Sequence, residues 1–466
     1  MTGILDELRA LRAQDLPTHG GRTLAYVYDS GLAGLDELAA AAHALASSAN
    51  GLDPTAFPSL LRMENDLVAA AARLLGGGVG AATSGGTESC LLAVLAAREG
   101  RPEVANPNMV LPSTAHAAFQ KAAHLFRVRA KTVPVDAKTF RADPEAMAAA
   151  IDDDTVLVVA SAPSYAHGVI DPITEIAAAA AARGVRMHVD ACIGGWVLPY
   201  LRRLGRPVPE FGFAVEGVTS ISVDLHKYAY CPKGVSVLLH ADAESRRGHY
   251  FSSARWPGYT MLNTTLQSTR SGGPLAAAWA VLREIGDDGY LRLAGDTLEA
   301  VTRIREGIGE VDGLEVLGDP DSTLIAVGAA SDEFDLFTVA DEMKERGWYV
   351  QPQFAYESSP VNLHLTVTAA NRGSEAEFLG DLRDAVAAAR AAGPVTVDPG
   401  VAAFVAALDP DTLTAEQFAG LLAAAGLTGG SGLPARMAGI NALLAEARPA
   451  LRERLLLEFL GGLYQS

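Results

Sequence analysis

The chain has 466 residues, 49% hydrophobic and 20% charged, enough to bury large cores and too many for one small module, so two or three domains are expected. Its 37 basic against 55 acidic residues give a formal charge of -18, which offers no basic field to nucleic acid or to an anionic membrane. No run reaches the roughly 18 uncharged apolar residues of a membrane span, and the opening MTGILDELRALRAQ lacks the apolar core of a signal peptide, so a soluble cytoplasmic protein is expected.

Taken in chain order, residues 1–55 read as an N-terminal helical segment. From about Glu64 to Leu239 helical periods alternate with short β-branched runs, the pattern of a mostly parallel sheet with crossover helices. Strands are expected at Gly80–Ser84, Met109–Pro112, Val128–Val135, Thr155–Ala160, Val185–Asp190, Thr219–Val223 and Val235–His240, with helices such as Leu67–Leu75, Glu88–Ala97, Ala115–Leu125 and Ile173–Ala182 between them. Residues 56–290 therefore form a large α/β domain. Helices at Leu275–Ile285 and Tyr290–Gly309 lead into a smaller α+β domain, residues 291–395, with strands at Leu314–Val316, Ser322–Val327, Trp348–Gln351 and Val361–Val367 and helices at Leu336–Arg346 and Glu375–Ala391. Residues 396–466 read as a C-terminal helical extension broken by Gly429-Gly430-Ser431-Gly432.

Three cysteines without CxxC spacing suggest neither a disulfide framework nor a zinc site, and fit a reducing compartment. Three stretches carry chemistry. In Thr83-Ser84-Gly85-Gly86-Thr87-Glu88-Ser89 a strand gives way through two glycines to a helix, whose free amides could receive a phosphate; a plain capped turn is the other reading. In His188-Val189-Asp190-Ala191-Cys192 the acid closes an apolar strand, where open α/β sheets bind ligands and a carboxylate can keep a heterocyclic nitrogen protonated; a turn-forming acid is the alternative. In Ser222-Val223-Asp224-Leu225-His226-Lys227-Tyr228, followed by Cys231-Pro232-Lys233-Gly234, two of only six lysines lie six residues apart at a strand end. A desolvated lysine there can attack a carbonyl, whereas an exposed loop lysine would do nothing. A phosphate cradle, a carboxylate for a ring nitrogen and a nucleophilic amine on successive strands are together what pyridoxal phosphate requires.

These motifs resemble the pyridoxal-phosphate-dependent group II decarboxylase superfamily, and within it most nearly the sphingosine-1-phosphate lyase family, in a form without a membrane anchor. The likeness begins at Phe57-Pro58-Ser59-Leu60, runs through Ser161-Ala162-Pro163 and Gly168-Val169-Ile170-Asp171-Pro172, and reaches Phe459–Tyr464. It implies a fold-type-I, pyridoxal-phosphate-dependent transferase-like α/β fold. It implies that Lys227 carries the Schiff base to pyridoxal 5'-phosphate, that Asp190 pairs with the ring nitrogen, and that His116 stacks on one ring face with Ala191 on the other. Gly86, Thr87 and His226 would hold the cofactor phosphate, and Lys233 would lie near the substrate. Gly272 and Gly273 would reach the cofactor of a partner subunit, which makes a homodimer with shared active sites.

The activity that the resemblance implies is a carbon–carbon lyase that splits C2–C3 of a phosphorylated amino alcohol into an aldehyde and phosphoethanolamine. An amino-acid α-decarboxylase would use the same apparatus. Some positions depart from the lyase pattern: Asp53 replaces a histidine, His43 stands where a tyrosine is expected, and Leu225 replaces a threonine. The run Thr264–Gly272 is nearer to some archaeal amino-acid decarboxylases. An acid at Asp53, if it faces the pocket, would repel a phosphorylated substrate.

Overall fold

The structure is a computed structural model in which residues 2–424 and 434–464 are described; the glycine-rich break at 429–432 lies outside the described residues. Seven strands build the large sheet: β1 (Val79–Thr83), β2 (Asn108–Pro112), β3 (Arg129–Val133), β4 (Thr155–Ser161), β5 (Arg186–Asp190), β6 (Val218–Asp224) and β7 (Ser236–His240). Their spatial order is β1-β7-β6-β5-β4-β2-β3. Only β7 runs against its neighbours, so the carboxyl ends of the other six share one edge of the sheet. Sequence dictates the centre: Thr-Val-Leu-Val-Val-Ala-Ser in β4 is buried at every position, as expected for a strand covered by helices on both faces. The Arg-Ala-Lys-Thr-Val strand β3, with polar residues turned to solvent, is left at the edge.

Helices enter and leave the sheet through recognisable chemistry. Helix Pro58–Leu75 starts with proline in its first turn and ends at Gly76, whose φ of 85° suits glycine. Gly77 and Gly78 continue with φ of 125° and 100°, turning the chain into β1. The two helices expected at 275–309 are present within Gly273–Gly309, separated by a kink at Gly286, which leaves helical geometry with φ 60° and ψ 175°.

A short hairpin, β8 (Phe251–Ser253) and β9 (Met261–Asn263), follows β7 and was not expected. The smaller sheet contains β10 (Leu314–Val316), β11 (Leu324–Ala329), β12 (Gln351–Gln353) and β13 (Asn362–Thr366), all antiparallel in the order β10-β11-β13-β12. The strand expected at Trp348–Gln351 begins at Gln351, because the Trp348 indole is buried and donates to Asp381 at 2.7 Å. Tyr349 pairs instead with the N-terminal chain: its amide donates to the Arg22 carbonyl at 2.8 Å, and Leu24 is fully buried in the smaller core. The C-terminal helices gather around their own cluster of Val405, Leu408, Leu421, Leu451 and Leu455. No helix among the described residues is long and apolar enough to cross a membrane.

Candidate active site

The strand ends converge on a cavity of about 440 Å³. Its wall is supplied by Ser84, Gly85 and Gly86 after β1, His116 after β2, Ser161 ending β4, Asp190 ending β5, Asp224 ending β6, and His226 and Lys227 just beyond it. This is the carboxyl edge where open α/β sheets place ligands. Of the residues singled out in the sequence, Gly86, Thr87, His116, Asp190, His226 and Lys227 line this one cavity. Ala191, Lys233, Gly272 and Gly273 are not in the lining.

Lys227 Nζ lies 3.0 Å from Asp224 Oδ2, and the two side chains are 17% and 3% exposed. Burial alone would pull the lysine's pKa down, but the Asp224 charge, aided by Tyr28, Cys192 and Asp190, carries it well above the ordinary value. Burial likewise pushes Asp224 upward, and the neighbouring Lys227, His226 and the Ser236 hydroxyl reverse it to a net lowering. The pair is therefore ionic. His226 Nε2 stands 3.6 Å from the same Asp224 oxygen, and burial lowers the ring's pKa. Asp224 received no role from the sequence; an acid three residues before a strand-end lysine was the available signal.

Asp190 is 8% exposed, and its Oδ1 accepts the Cys192 amide at 3.1 Å and the Ser222 hydroxyl at 3.4 Å, which fixes the carboxylate at the cavity wall. His116 takes the Ala118 amide on Nδ1 at 3.1 Å. A neutral ring so bonded carries its proton on Nε2 and offers a donor, not a base.

Two observations test pyridoxal phosphate against these residues. A Cβ on Gly86 would stand 2.5 Å from Asp224 Oδ2 and 2.8 Å from Cys192 Sγ, so only glycine lets the chain approach the pair so closely. Helix Gly86–Glu99 begins at Gly85 without a side-chain cap, leaving its first amides for an anion. With Asp190 on one wall and Lys227 on another, the donor set fits the cofactor.

Other residues were missed in the sequence. Cys90, Cys192, Ser161, Pro163 and Tyr165 all line the cavity. The Tyr165 hydroxyl donates to Gln351 at 2.6 Å and its ring stacks on His364 at 4.0 Å, joining the cavity to the smaller sheet. Lys233 lies beyond the lining, where Nζ donates to the Tyr26 carbonyl at 2.9 Å and sits 5.4 Å from the Tyr28 ring centroid. Desolvation, and then the Lys227 charge, lowers its pKa. Asp53 also lies outside this chain's cavity, with its carboxylate taken by the Thr55 amide and hydroxyl and the Ala56 amide. Gly272 and Gly273 begin the long helix beside Leu60 and His43; the Gly272 amide donates to Ala49 and that of Gly273 to the Ser271 hydroxyl.

Comparison with known proteins agrees with the geometry. The profile of the pyridoxal-dependent decarboxylase conserved domain matches residues 26–328, and one for the C-terminal domain of pyridoxal-dependent enzymes matches residues 399–462. The sphingosine-1-phosphate lyase of Oryza sativa is 37% identical over 406 residues, covering 84% of this chain and 74% of that one. The Arabidopsis thaliana enzyme of the same name is 40% identical over 359 residues, 74% of this chain and 65% of its own length. Among solved structures, the Burkholderia pseudomallei sphingosine-1-phosphate lyase superposes with a TM-score of 0.79 at 37% identity, covering 84% of this chain and 91% of that one. The Lactobacillus brevis glutamate decarboxylase shares the fold, with a TM-score of 0.73 at 20% identity over 84% of this chain and 93% of its own.

Proposed function

The chain belongs to the pyridoxal-dependent decarboxylase family, and from that premise we propose that it is a pyridoxal-phosphate-dependent carbon–carbon lyase cleaving the C2–C3 bond of a phosphorylated amino alcohol to an aldehyde and phosphoethanolamine. The observation that carries the cofactor half of this reading is the Lys227–Asp224 pair sharing one cavity with Asp190; the choice of a lyase rests on the relatives. It is supported by lyase relatives at 37% and 40% identity, against 20% for the glutamate decarboxylase.

When bound, pyridoxal phosphate supplies the electron sink for the pair left behind as a bond to C2 breaks. Asp190 would hold a proton on the pyridine nitrogen. Gly86 and Thr87 would offer amides and a hydroxyl to the phosphate, with His226 beside them. His116 would cover one ring face and donate through Nε2, with Ala191 behind the other. Lys227 would be the amine that holds the cofactor. His116, with Nδ1 taken by the Ala118 amide, would present a donor and not a base to a substrate hydroxyl. Lys233 would serve as a cation for the substrate phosphate from its place on Tyr26.

A homodimer with shared sites is part of the proposal. Tyr250, Phe251, Trp256, Tyr259 and Leu262 stand exposed around the β8–β9 hairpin, an apolar surface of the kind that subunits cover. A cytoplasmic location is likewise proposed.

The α-decarboxylase alternative needs a cation for a substrate carboxylate, and among the described residues no arginine lines the cavity. The test has two arms. Lys227→Ala should abolish the visible absorbance of covalently attached cofactor; retention of that band would remove the site. Acidic, aromatic and basic amino acids should yield no carbon dioxide; rapid release from any of them would replace the lyase by a decarboxylase.

A further inference from the structure

The chemistry above makes no use of the two thiols that meet in the cavity wall. Cys90, on helix Gly86–Glu99, is 1% exposed, and Cys192, just after β5, is 6% exposed. Their sulfurs and a carboxylate oxygen of Asp190 all lie within 4.8 Å of one another. A tetrahedral zinc ion, with Zn–S near 2.3 Å and Zn–O near 2.0 Å, sets its donors roughly 3.5 Å apart, so these three would draw together by about 1 Å at most to hold one.

The surroundings are those of a supported metal site. The Ser222 hydroxyl lies 3.3 Å from Cys192 Sγ and 3.4 Å from Asp190 Oδ1, and the Cys192 amide orients the same carboxylate at 3.1 Å. Two thiolates and a carboxylate around a divalent ion leave one negative charge, in a lining that also holds the Lys227–Asp224 ion pair. The spacing of the cysteines in the chain conceals this cluster, because 101 residues separate two side chains that only the fold brings together.

We propose that Cys90, Cys192 and Asp190 bind a thiophilic divalent cation, Zn2+ or its kin, and that the bound ion and the pyridoxal cofactor exclude each other. On binding, the two thiol protons pass to solvent, two Zn–S bonds and one Zn–O bond form, and the open cavity side keeps the fourth position for solvent. Exclusion follows because the ion takes the carboxylate assigned to the pyridine nitrogen; that half rests on the function proposed above, while the metal site does not.

Full-length protein stripped of cofactor by cysteine treatment and dialysis is titrated with Zn2+ against a chromophoric chelator, and with Co2+ for its thiolate charge-transfer absorption. Binding should saturate at about one ion per chain, and Cys90→Ser and Cys192→Ser should each weaken it by roughly tenfold or more, while Cys231→Ser leaves it unchanged. No chelator-competitive binding, or binding indifferent to both serine variants, overturns the site. Zn2+-loaded protein should develop the bound-cofactor absorbance only after a chelator is added; full loading with zinc retained overturns the exclusion. Zinc-free protein that never develops that absorbance would contradict the function proposed above and leave the zinc titration to stand alone.

Discussion

Lys227 and Asp224 form a largely buried ion pair in this cavity, and that burial makes the pair costly to break from one side. Asp224→Ala leaves an ammonium without its counter-charge, and a loss of about 3–5 kcal/mol is expected from denaturant unfolding. The double variant Asp224→Ala/Lys227→Ala should recover part of that loss; strictly additive losses would show that the pair is not coupled. Gly86→Ala should place a methyl against Asp224 and Cys192. Overpacking of about 1–3 kcal/mol, if it falls on the cofactor-bound state, corresponds to cofactor retention weakened roughly 5- to 150-fold, measurable by dialysis against free cofactor, with the folded state intact. At this scale much of the site was legible. Lys227 and Asp190 stood out because each lies at the end of an apolar strand, a ligand position, whereas His116 was named only through the family resemblance; all three line the cavity. Asp224 was not, because a carboxylate at the same strand end can equally close a turn, and only its distance to Lys227 decides. Cys90 and Cys192 were weighed only by their spacing in the chain, which does not show that the fold brings them together.

Among the elements, the long apolar ones were read well and the short polar ones poorly. β4 is buried throughout and was recognised almost to the residue, as was helix Ile173–Ala182. The β8–β9 hairpin was missed because three-residue strands such as Phe-Ser-Ser, half exposed, have no period to detect. β12 was misplaced because Trp348 looks like a strand residue but serves as a core anchor held by Asp381. The C-terminal helices illustrate what pattern cannot show, namely attachment. Asp341, on helix Leu336–Glu345, accepts the Met437 and Ala438 amides at 2.8 Å and so caps helix Ala438–Glu446 from another element. Arg436 adds ion pairs to Glu342 at 2.7 Å and Glu345 at 2.5 Å. Asp341→Ala should cost about 1–2 kcal/mol of local stability, seen as faster amide exchange over residues 437–446. Unchanged exchange there would mean that the apolar cluster alone holds the tail.

For the molecule as a whole, five buried histidines govern the response to acid. Burial lowers His167, His188 and His249 to about 4, His364 to about 3 and His240 to about 2. A folded pKa below the unfolded 6.5 means that the unfolded chain takes up protons first as the pH drops. Stability is therefore complete above 6.5 and falls by roughly 1.4 kcal/mol per pH unit per histidine below it, until the folded values are reached. Asp171, raised to about 6 by burial, acts in the opposite sense and regains stability as it is protonated. Relief of the -18 charge also favours the fold in acid, but those charges are spread over a screened surface, so the histidines prevail. The urea midpoint should be clearly lower at pH 5 than at pH 7.5, and an equal or higher midpoint would contradict this balance. Length and charge had indicated a large protein unsuited to nucleic acid; the same charge would leave a phosphorylated substrate dependent on local cations, the role proposed for Lys233. The central claim meets its most direct test in one product assay, in which cofactor-loaded protein is given a phosphorylated long-chain sphingoid base. A long-chain aldehyde and phosphoethanolamine should appear in equal amounts with the wild type and not with Lys227→Ala. Substrate left intact by the loaded wild-type protein, or aldehyde released equally by the variant, would contradict it.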